Sequence, residues 1–375
     1  MKIGITCYPT YGGSGIVATE LGLELANRGH EVHFVTYANP IRLDPGIARI
    51  HYHEVEVSSY PLFQYPPYTL ALASRMAEVA RTYQLDLLHV HYAVPHSISA
   101  LLAQEMISTE QPLPFITTLH GTDITLVGAD RSYLRITKFS IERSSGVTSI
   151  SEYLRQRTVD VFNIHKEIRV IKNFVNCDTY RPDREKKEAR CFTKPGEKLL
   201  IHVSNFRPVK RVVDCIDILA RVRREAAAHL LMVGDGPERG RAEQRARELG
   251  IEEHVSFLGK QNHVERLIPL AHVLLLPSEL ESFGLAALEG MACGVPPVTT
   301  RVGGIPELVT HGVDGYLEAP ADIEGQAARV SGLLTDEWLY ERVSLAARAK
   351  ATDQFCTKKI IPQYEEYYSE VCARK

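Results

Sequence analysis

Glu281 and Glu289 stand eight residues apart on either side of Phe283-Gly284, in the run Glu281-Ser282-Phe283-Gly284-Leu285-Ala286-Ala287-Leu288-Glu289. The preceding Val273-Leu274-Leu275-Leu276-Pro277 reads as a short buried strand, and Phe283-Gly284 as a turn that releases the chain into a helix. Amides at a helix start have no partner inside the helix and favour an anion. Glu281 would lie just before the helix beside that anion, while Glu289 would point from the second turn toward whatever the anion carries. Leu285, Ala286, Leu288, Met291, Ala292 and Val295 make the helix apolar on nearly every side, which predicts that it is buried. A buried helix rarely keeps an idle carboxylate. A sugar on one side and a ribose on the other fit this arrangement; the plainer use is a surface helix carboxylate and a loop residue.

Cations and glycines recur where such a ligand would need them. Ser204-Asn205-Phe206-Arg207-Pro208-Val209-Lys210-Arg211 follows the strand Leu199 to Val203, which places three cations at a carboxyl strand end, where open α/β sheets bind ligands. Arg207 could grip two phosphate oxygens with its planar fork, and Lys210 could stabilise a departing phosphate as a point charge. Lys210 and Arg211 could equally begin a solvated helix. Val233-Gly234-Asp235-Gly236-Pro237 is a further strand-to-helix turn, and Pro237 suits a first helical position. Near the start, Tyr11-Gly12-Gly13-Ser14-Gly15-Ile16-Val17-Ala18 fits the G-x-G-x-x-A pattern whose amides approach a phosphate closely, although a tight turn alone would also use these glycines. The second strand ends in Thr36-Tyr37-Ala38 without the acidic group of a nicotinamide enzyme, which argues against a dehydrogenase.

In the first half, Thr117-Thr118-Leu119-His120-Gly121-Thr122-Asp123 ends a strand in polar groups, and His120 is the candidate sugar contact. His89, His91 and His96 crowd another strand end with Tyr92; His89 and His91 share a strand face, so a metal there is conceivable. Arg131, Arg135 and Lys138 recur at helical spacing with Arg143 just beyond, as a patch for an acidic acceptor or as a solvated helix face. No Asp-x-Asp pair, G-x-x-x-x-G-K-[ST] loop or G-x-S-x-G elbow occurs, which weakens metal-bridged transferases, P-loop NTPases and α/β-hydrolases.

To position these groups the chain needs strand ends on common sheet edges, and its pattern provides them. Ile3 to Cys7, Ile16 to Asn27, Val32 to Tyr37, Leu70 to Tyr83, Leu87 to Val90 and Phe115 to Leu119 alternate as strands and helices; Leu199 to Val203, Leu230 to Val233, Val255 to Leu258, Val273 to Leu276 and Pro297 to Thr300 open a second series. This alternation predicts two doubly wound α/β domains with parallel sheets. A length of 375 residues with 45% hydrophobic content suits two cores. The boundaries expected are 1–170 for an acceptor-binding domain and 171–355 for a donor-binding domain, with a helix at about 356–375, carrying Tyr364, Tyr367 and Tyr368, able to pack back on the first. Asp183 to Lys198 reads as a charged surface loop.

A formal charge of -3 with interspersed signs provides no basic stripe for nucleic acid, and no run is long enough to cross a bilayer. No strongly basic amphipathic helix indicates stable membrane association. Seven scattered cysteines without a Cys-x-x-Cys pair read as free thiols in a reducing compartment, and the strand beginning at Ile3 leaves no room for a signal core, so a cytoplasmic location is expected.

Together, Gly12 to Gly15, His120-Gly121-Thr122-Asp123, Ser204 to Lys210, Gly234 to Gly236 and the paired glutamates with Phe283-Gly284 resemble the retaining family 4 glycosyltransferases of the GT-B fold, over nearly the whole chain. Ile5-Thr6-Cys7-Tyr8-Pro9, Thr118 to Thr125 and Val203 to Arg207 look like those members that pass N-acetylglucosamine from UDP to L-malate, the first step of bacillithiol biosynthesis. The resemblance implies two Rossmann-like domains facing each other across a cleft, UDP-N-acetylglucosamine and L-malate as small-molecule substrates, and no cofactor or metal. It implies Glu289 on the uridine ribose, Lys210 with the Gly13 and Gly15 amides on the diphosphate, and Glu281 with the Phe283, Gly284 and Leu285 backbone on the sugar. It gives His120, Lys210 and Glu281 the catalytic roles, and Ser204, Asn205, Arg207 and Gly234 places at the donor. Ser14, Tyr92, Thr118 and a cation, Arg143 with Lys138 as its rival, would meet malate. Many family members have Gly-Arg where Ser204-Asn205 stands, so the arginine role is displaced to Arg207 or missing. A lipid or polysaccharide acceptor, and a non-catalytic sensor of UDP-N-acetylglucosamine, remain as alternatives. The oligomeric state is left open, a homo-oligomer included.

Overall fold

The computed structural model describes residues 1–10, 12–43, 46–57, 62, 64–183 and 187–374. Tyr11 of the glycine loop, residues 184–186 of the charged loop and Lys375 of the tail lie outside the described residues. The chain divides into two compact units, Met1–Lys172 with Ile360–Lys375, and Asn173–Lys359.

The first unit is built on seven strands, β1 (Lys2–Thr6), β2 (Glu31–Thr36), β3 (Ile50–Glu54), β4 (Leu87–His91), β5 (Phe115–Leu119), β6 (Gly146–Ser149) and β7 (Arg169–Val170), in the order β3-β2-β1-β4-β5-β6-β7. All pairings are parallel. Parallel strands need crossover helices, and here these include α1 (Gly13–Asn27), α2 (Tyr68–Tyr83), α3 (Ile98–Ile107), α4 (Thr122–Thr125), α5 (Leu134–Arg143) and α6 (Glu152–Phe162). The central strands are covered on both faces, which is why they read as unbroken apolar runs. Leu88, Val90 and Phe115 pack with Leu72, Met76, Val79 and Ala80 of α2 and Ala100 and Ala103 of α3. Each such buried aliphatic side chain contributes about 1.5–3 kcal/mol.

The second unit repeats the plan with β8 (Lys198–Val203), β9 (Ala228–Val233), β10 (Val255–Gly259), β11 (Val273–Leu276), β12 (Pro297–Thr300) and β13 (Tyr316–Glu318), in the order β10-β9-β8-β11-β12-β13. Its helices are α7 (Val212–Val222), α8 (Arg239–Glu248), α9 (Leu285–Ala292), α10 (Ile305–Leu308), α11 (Ile323–Thr335) and α12 (Glu337–Gln354). In α7 the buried Val212, Cys215, Ile216, Leu219 and Val222 follow helical spacing and pack on Leu200, Leu230 and Met232 of the sheet.

The last helix, α13 (Thr357–Ala373), returns to the first unit from Ile360 onward. Its tyrosines anchor it there. Tyr367 Oη accepts from the Val147 amide at 3.0 Å and its ring lies under the Arg169 guanidinium at 4.4 Å. Glu365 pairs with Arg28 at 2.8 Å and His30 at 2.9 Å.

Both sheets reverse direction of winding once, between β1 and β4 and between β8 and β11. At such a switch point the connections leave in opposite directions and open a crevice beyond the carboxyl strand ends. The glycine loop, Tyr92, the Ser204 loop and the Glu281 segment each follow one of these four strands.

All seven cysteines are free thiols, and among the described residues no helix is long and apolar enough to cross a membrane.

Candidate active site

In the second unit, Lys210 closes a single turn, Pro208–Lys210, that follows β8. Its ammonium donates to Glu281 Oε1 at 2.5 Å, and Ser278 Oγ donates to the same oxygen at 2.9 Å. The Glu279 amide binds the Val209 carbonyl at 2.8 Å, which ties the loop after β11 to the loop after β8. A lysine and a glutamate 71 positions apart are thereby held as a partly buried pair, with side chains 21% and 11% exposed.

Glu281 leads into α9 through Phe283, whose ring is buried edge-on against Phe355 at 5.9 Å. Only the Phe283 backbone can therefore serve a ligand. Gly284 caps the helix at φ +94°, a left-handed conformation that favours glycine, and a Cβ there would press on Ile305 Cδ1 at 2.3 Å. The amides of Leu285, Ala286 and Ala287 form the first turn, and the first intrahelical bond is the Leu288 amide to Gly284 at 3.1 Å. Glu289 is buried in the second turn and accepts from Tyr180 Oη at 2.7 Å.

The loops after β8 and β9 interlock. Gly234 has φ +123° and a Cβ there would lie 1.7 Å from the Ser204 carbonyl; Gly236 packs in the same way on the Asn205 carbonyl. Ser204 Oγ is bonded to His202 Nε2 at 2.7 Å, so its hydroxyl braces the strand end. Asn205 Oδ1 is buried without a hydrogen-bond partner among the described residues. Arg207 is exposed beside it.

In the first unit, Gly13, Ser14 and Gly15 form the opening turn of α1, and Gly15 is required because a Cβ would lie 2.5 Å from the Tyr8 carbonyl. His120 follows β5 directly; its Nε2 lies 2.8 Å from His91 Nδ1 and its ring stacks on Tyr92 at 5.6 Å. Tyr92 in turn meets Tyr8 edge-on at 5.3 Å. Burial, with a smaller push from His96, holds the His120 imidazole down to about 3. It is neutral at physiological pH and suited to hydrogen bonding rather than to carrying charge. Asp123 accepts from the amides of Ala93, His120 and Gly121 at 3.1, 3.2 and 2.8 Å, which fixes the backbone around His120. Burial raises its carboxyl against those hydrogen bonds.

Two residues expected at the acceptor are engaged elsewhere. Thr118 is fully buried with its hydroxyl between His89 Nε2 and Thr148 Oγ1, both at 2.6 Å, so it braces neighbouring strands. Arg143 ends α5, two residues before Ser145, whose amide and hydroxyl bind the first residue of β5; it therefore lies at the amino edge of the sheet, paired with Glu105 at 3.1 Å. The same crossover geometry puts the rival Lys138 on the Asn163 carbonyl at 3.0 Å. At the strand end of His89 and His91, His89 is held by Tyr368 Oη at 2.7 Å and by Thr118, and His91 by His120. Tyr180, Ser278 and Asp123 position the candidate residues without having been singled out. Asp123, three residues after His120, and Ser278, three residues before Glu281, left a local signal, the reach of a short side chain to nearby groups.

Comparison with known proteins bears on both units. Residues 11–179 match the model of glycosyltransferase family 4, and residues 183–350 that of glycosyl transferases group 1. The chain is 48% identical over 372 residues to N-acetyl-alpha-D-glucosaminyl L-malate synthase of Bacillus anthracis, covering 99% of this chain and 97% of that protein. The fold is similar to sucrose-phosphate synthase of Thermosynechococcus elongatus, with a TM-score of 0.81 at 21% identity over all of both chains. It is likewise similar to Anabaena HepE in complex with UDP-glucose, with a TM-score of 0.80 at 21% identity over 99% of this chain and 100% of that one.

Proposed function

This chain belongs to the family 4 glycosyltransferases, and from that premise we propose that it transfers N-acetylglucosamine from UDP to the hydroxyl of L-malate, with retention at the anomeric carbon. The observation that carries the acceptor assignment is the likeness to the Bacillus anthracis synthase, which runs through 99% of the chain and so includes the unit holding His120 and Tyr92. The donor assignment is supported by the Lys210 and Glu281 pair at the switch point of the second sheet.

In this reading Glu289, steadied by Tyr180, takes the ribose, and the opening amides of α9 with Lys210 and Arg207 face the diphosphate. The malate oxygen forms a bond to the anomeric carbon while the bond from that carbon to the phosphate oxygen breaks, and the hydroxyl proton passes to the leaving phosphate. Charge grows on that phosphate as the bond breaks, so donors aimed at it accelerate the step. Neutral His120 donates or accepts a hydrogen bond at the sugar without adding a charge. Ser14 and Tyr92 contact malate. The cations and helix amides supply the positive charge for the leaving group, and no metal enters the scheme.

Purified protein is incubated with UDP-N-acetylglucosamine and EDTA, with and without L-malate, and UDP release is followed. Release that depends on malate and survives EDTA is expected. Release that is indifferent to malate would point to a different acceptor, binding without release to a sensor, and loss with EDTA to a metal-dependent reaction.

A further inference from the structure

The parallel pair β2 and β3 lays four polar side chains on one face of the first sheet, at the end opposite His120. Glu31 and His33 alternate on β2, His51 and His53 on β3, and the register sets His33 beside His51. A period of two puts all four on the same side. His33 Nε2 lies 3.1 Å from Glu31 Oε1, and His51 Nε2 lies 3.4 Å from that same oxygen. The three atoms all fall within 4.8 Å of one another. An ion held tetrahedrally by bonds of about 2.0–2.2 Å needs its ligand atoms about 3.3–3.6 Å apart, close to the 3.1 and 3.4 Å that separate the two imidazole nitrogens from Glu31 Oε1.

The surroundings are those of a ligand set. His33 Nδ1 lies 2.9 Å from His53 Nε2, so a proton on Nδ1 donated to His53 leaves Nε2 with its lone pair toward the ion, the second contact that metal-binding imidazoles generally make. The His33 ring is clamped between stacked His51 at 4.6 Å and His53 at 5.2 Å, with Tyr83 against all three rings. Lys2 approaches Glu31 through the other carboxylate oxygen, Oε2, at 3.8 Å, and leaves Oε1 to the imidazoles. With His51 43% and Glu31 32% exposed, the site opens to solvent on one side, which gives an ion a way in and a water as fourth ligand. A comparable group in the second unit, Glu197 with His229 and His254, lacks this character because Arg223 holds the Glu197 carboxylate at 3.2 Å.

We propose that Glu31 Oε1, His33 Nε2 and His51 Nε2 bind a zinc ion, with His53 orienting His33. The site joins the edge strand β3 to β2 and lies at the amino end of the strands, so the ion steadies the sheet edge and takes no part in transfer.

The test uses full-length protein stripped with a chelator and titrated with zinc chloride against a chromophoric competitor, with thermal unfolding measured alongside. One ion per chain is expected, together with a rise in Tm that follows zinc concentration. His51→Ala and Glu31→Gln, both at solvent-accessible positions, should each weaken binding by about tenfold or more and lose the Tm response, while UDP release stays at the level of the unaltered protein. X-ray absorption of the loaded protein should show nitrogen and oxygen neighbours at about 2.0–2.2 Å and no sulfur. Absence of zinc binding, binding unchanged in both variants, or sulfur ligands would overturn the assignment.

Discussion

Lys210 illustrates how much one side chain's task depends on its partner. Its ammonium is held by Glu281 at 2.5 Å, so in the proposed reading a diphosphate at this turn meets a cation oriented by a carboxylate. If that cation stabilises charge on the departing phosphate, Lys210→Ala should lower kcat by about a hundredfold or more and change the donor KM much less. Steady-state UDP release by the variant measures both, and near-normal turnover would remove Lys210 from the reaction. Lys210, Glu281 and Glu289 were legible in the sequence because each lies within a few residues of a strand end or helix start that the local pattern reveals. Tyr180 was not, since it reaches Glu289 across 109 positions and nothing near it marks the meeting.

Among elements, the turns after β8 and β9, which the proposed function places at the donor, are locked together by backbone packed on backbone. Gly234 permits that approach in two ways, by its positive φ and by the missing Cβ that would lie 1.7 Å from the Ser204 carbonyl. Gly234→Ala should therefore cost about 3 kcal/mol and weaken donor binding, because relief requires the Ser204 to Lys210 loop to move. Gly250 shares a positive φ of +63° but has nothing within 4 Å, so Gly250→Ala should cost only about 1 kcal/mol and leave donor binding intact. Denaturant unfolding and UDP titration of the two variants make the comparison; equal effects would mean that strain alone, and not the close approach, explains Gly234. The long central strands and amphipathic helices were readable from periodicity. The strands β3, β6, β7 and β13 were not singled out, because a short or edge strand lacks the unbroken apolar run that double coverage imposes.

At the scale of the whole molecule, His33, His53, His89, His91, His96, His120, His202 and His229 are buried. Burial pushes His89 and His120 down to about 3 and His96 and His202 to about 4, against an ordinary value of 6.5. A folded-state pKa below the unfolded one means that the unfolded chain takes up protons first as acid is added. These groups therefore leave stability untouched above about pH 6.5 and withdraw it progressively as pH falls from there toward about 3. Thermal unfolding followed from about pH 7 to about pH 5 should show a continuous fall in Tm; a flat profile would show that these imidazoles are not held neutral.

The sequence by itself determined the two doubly wound sheets, the glycine turns, and the residue types suited to a nucleotide sugar, because strand and helix periodicity and turn chemistry are written over a few neighbouring positions. Tertiary structure alone decided which of those residues serve as supports. It buried the Thr118 hydroxyl between two strands and carried Arg143 to the far edge of the sheet, since a crossover helix returns its last turn to the amino ends of the strands. It also brought Glu31, His33 and His51 together, since pairing between strands joins positions about twenty residues apart in the chain, and no local pattern encodes that register.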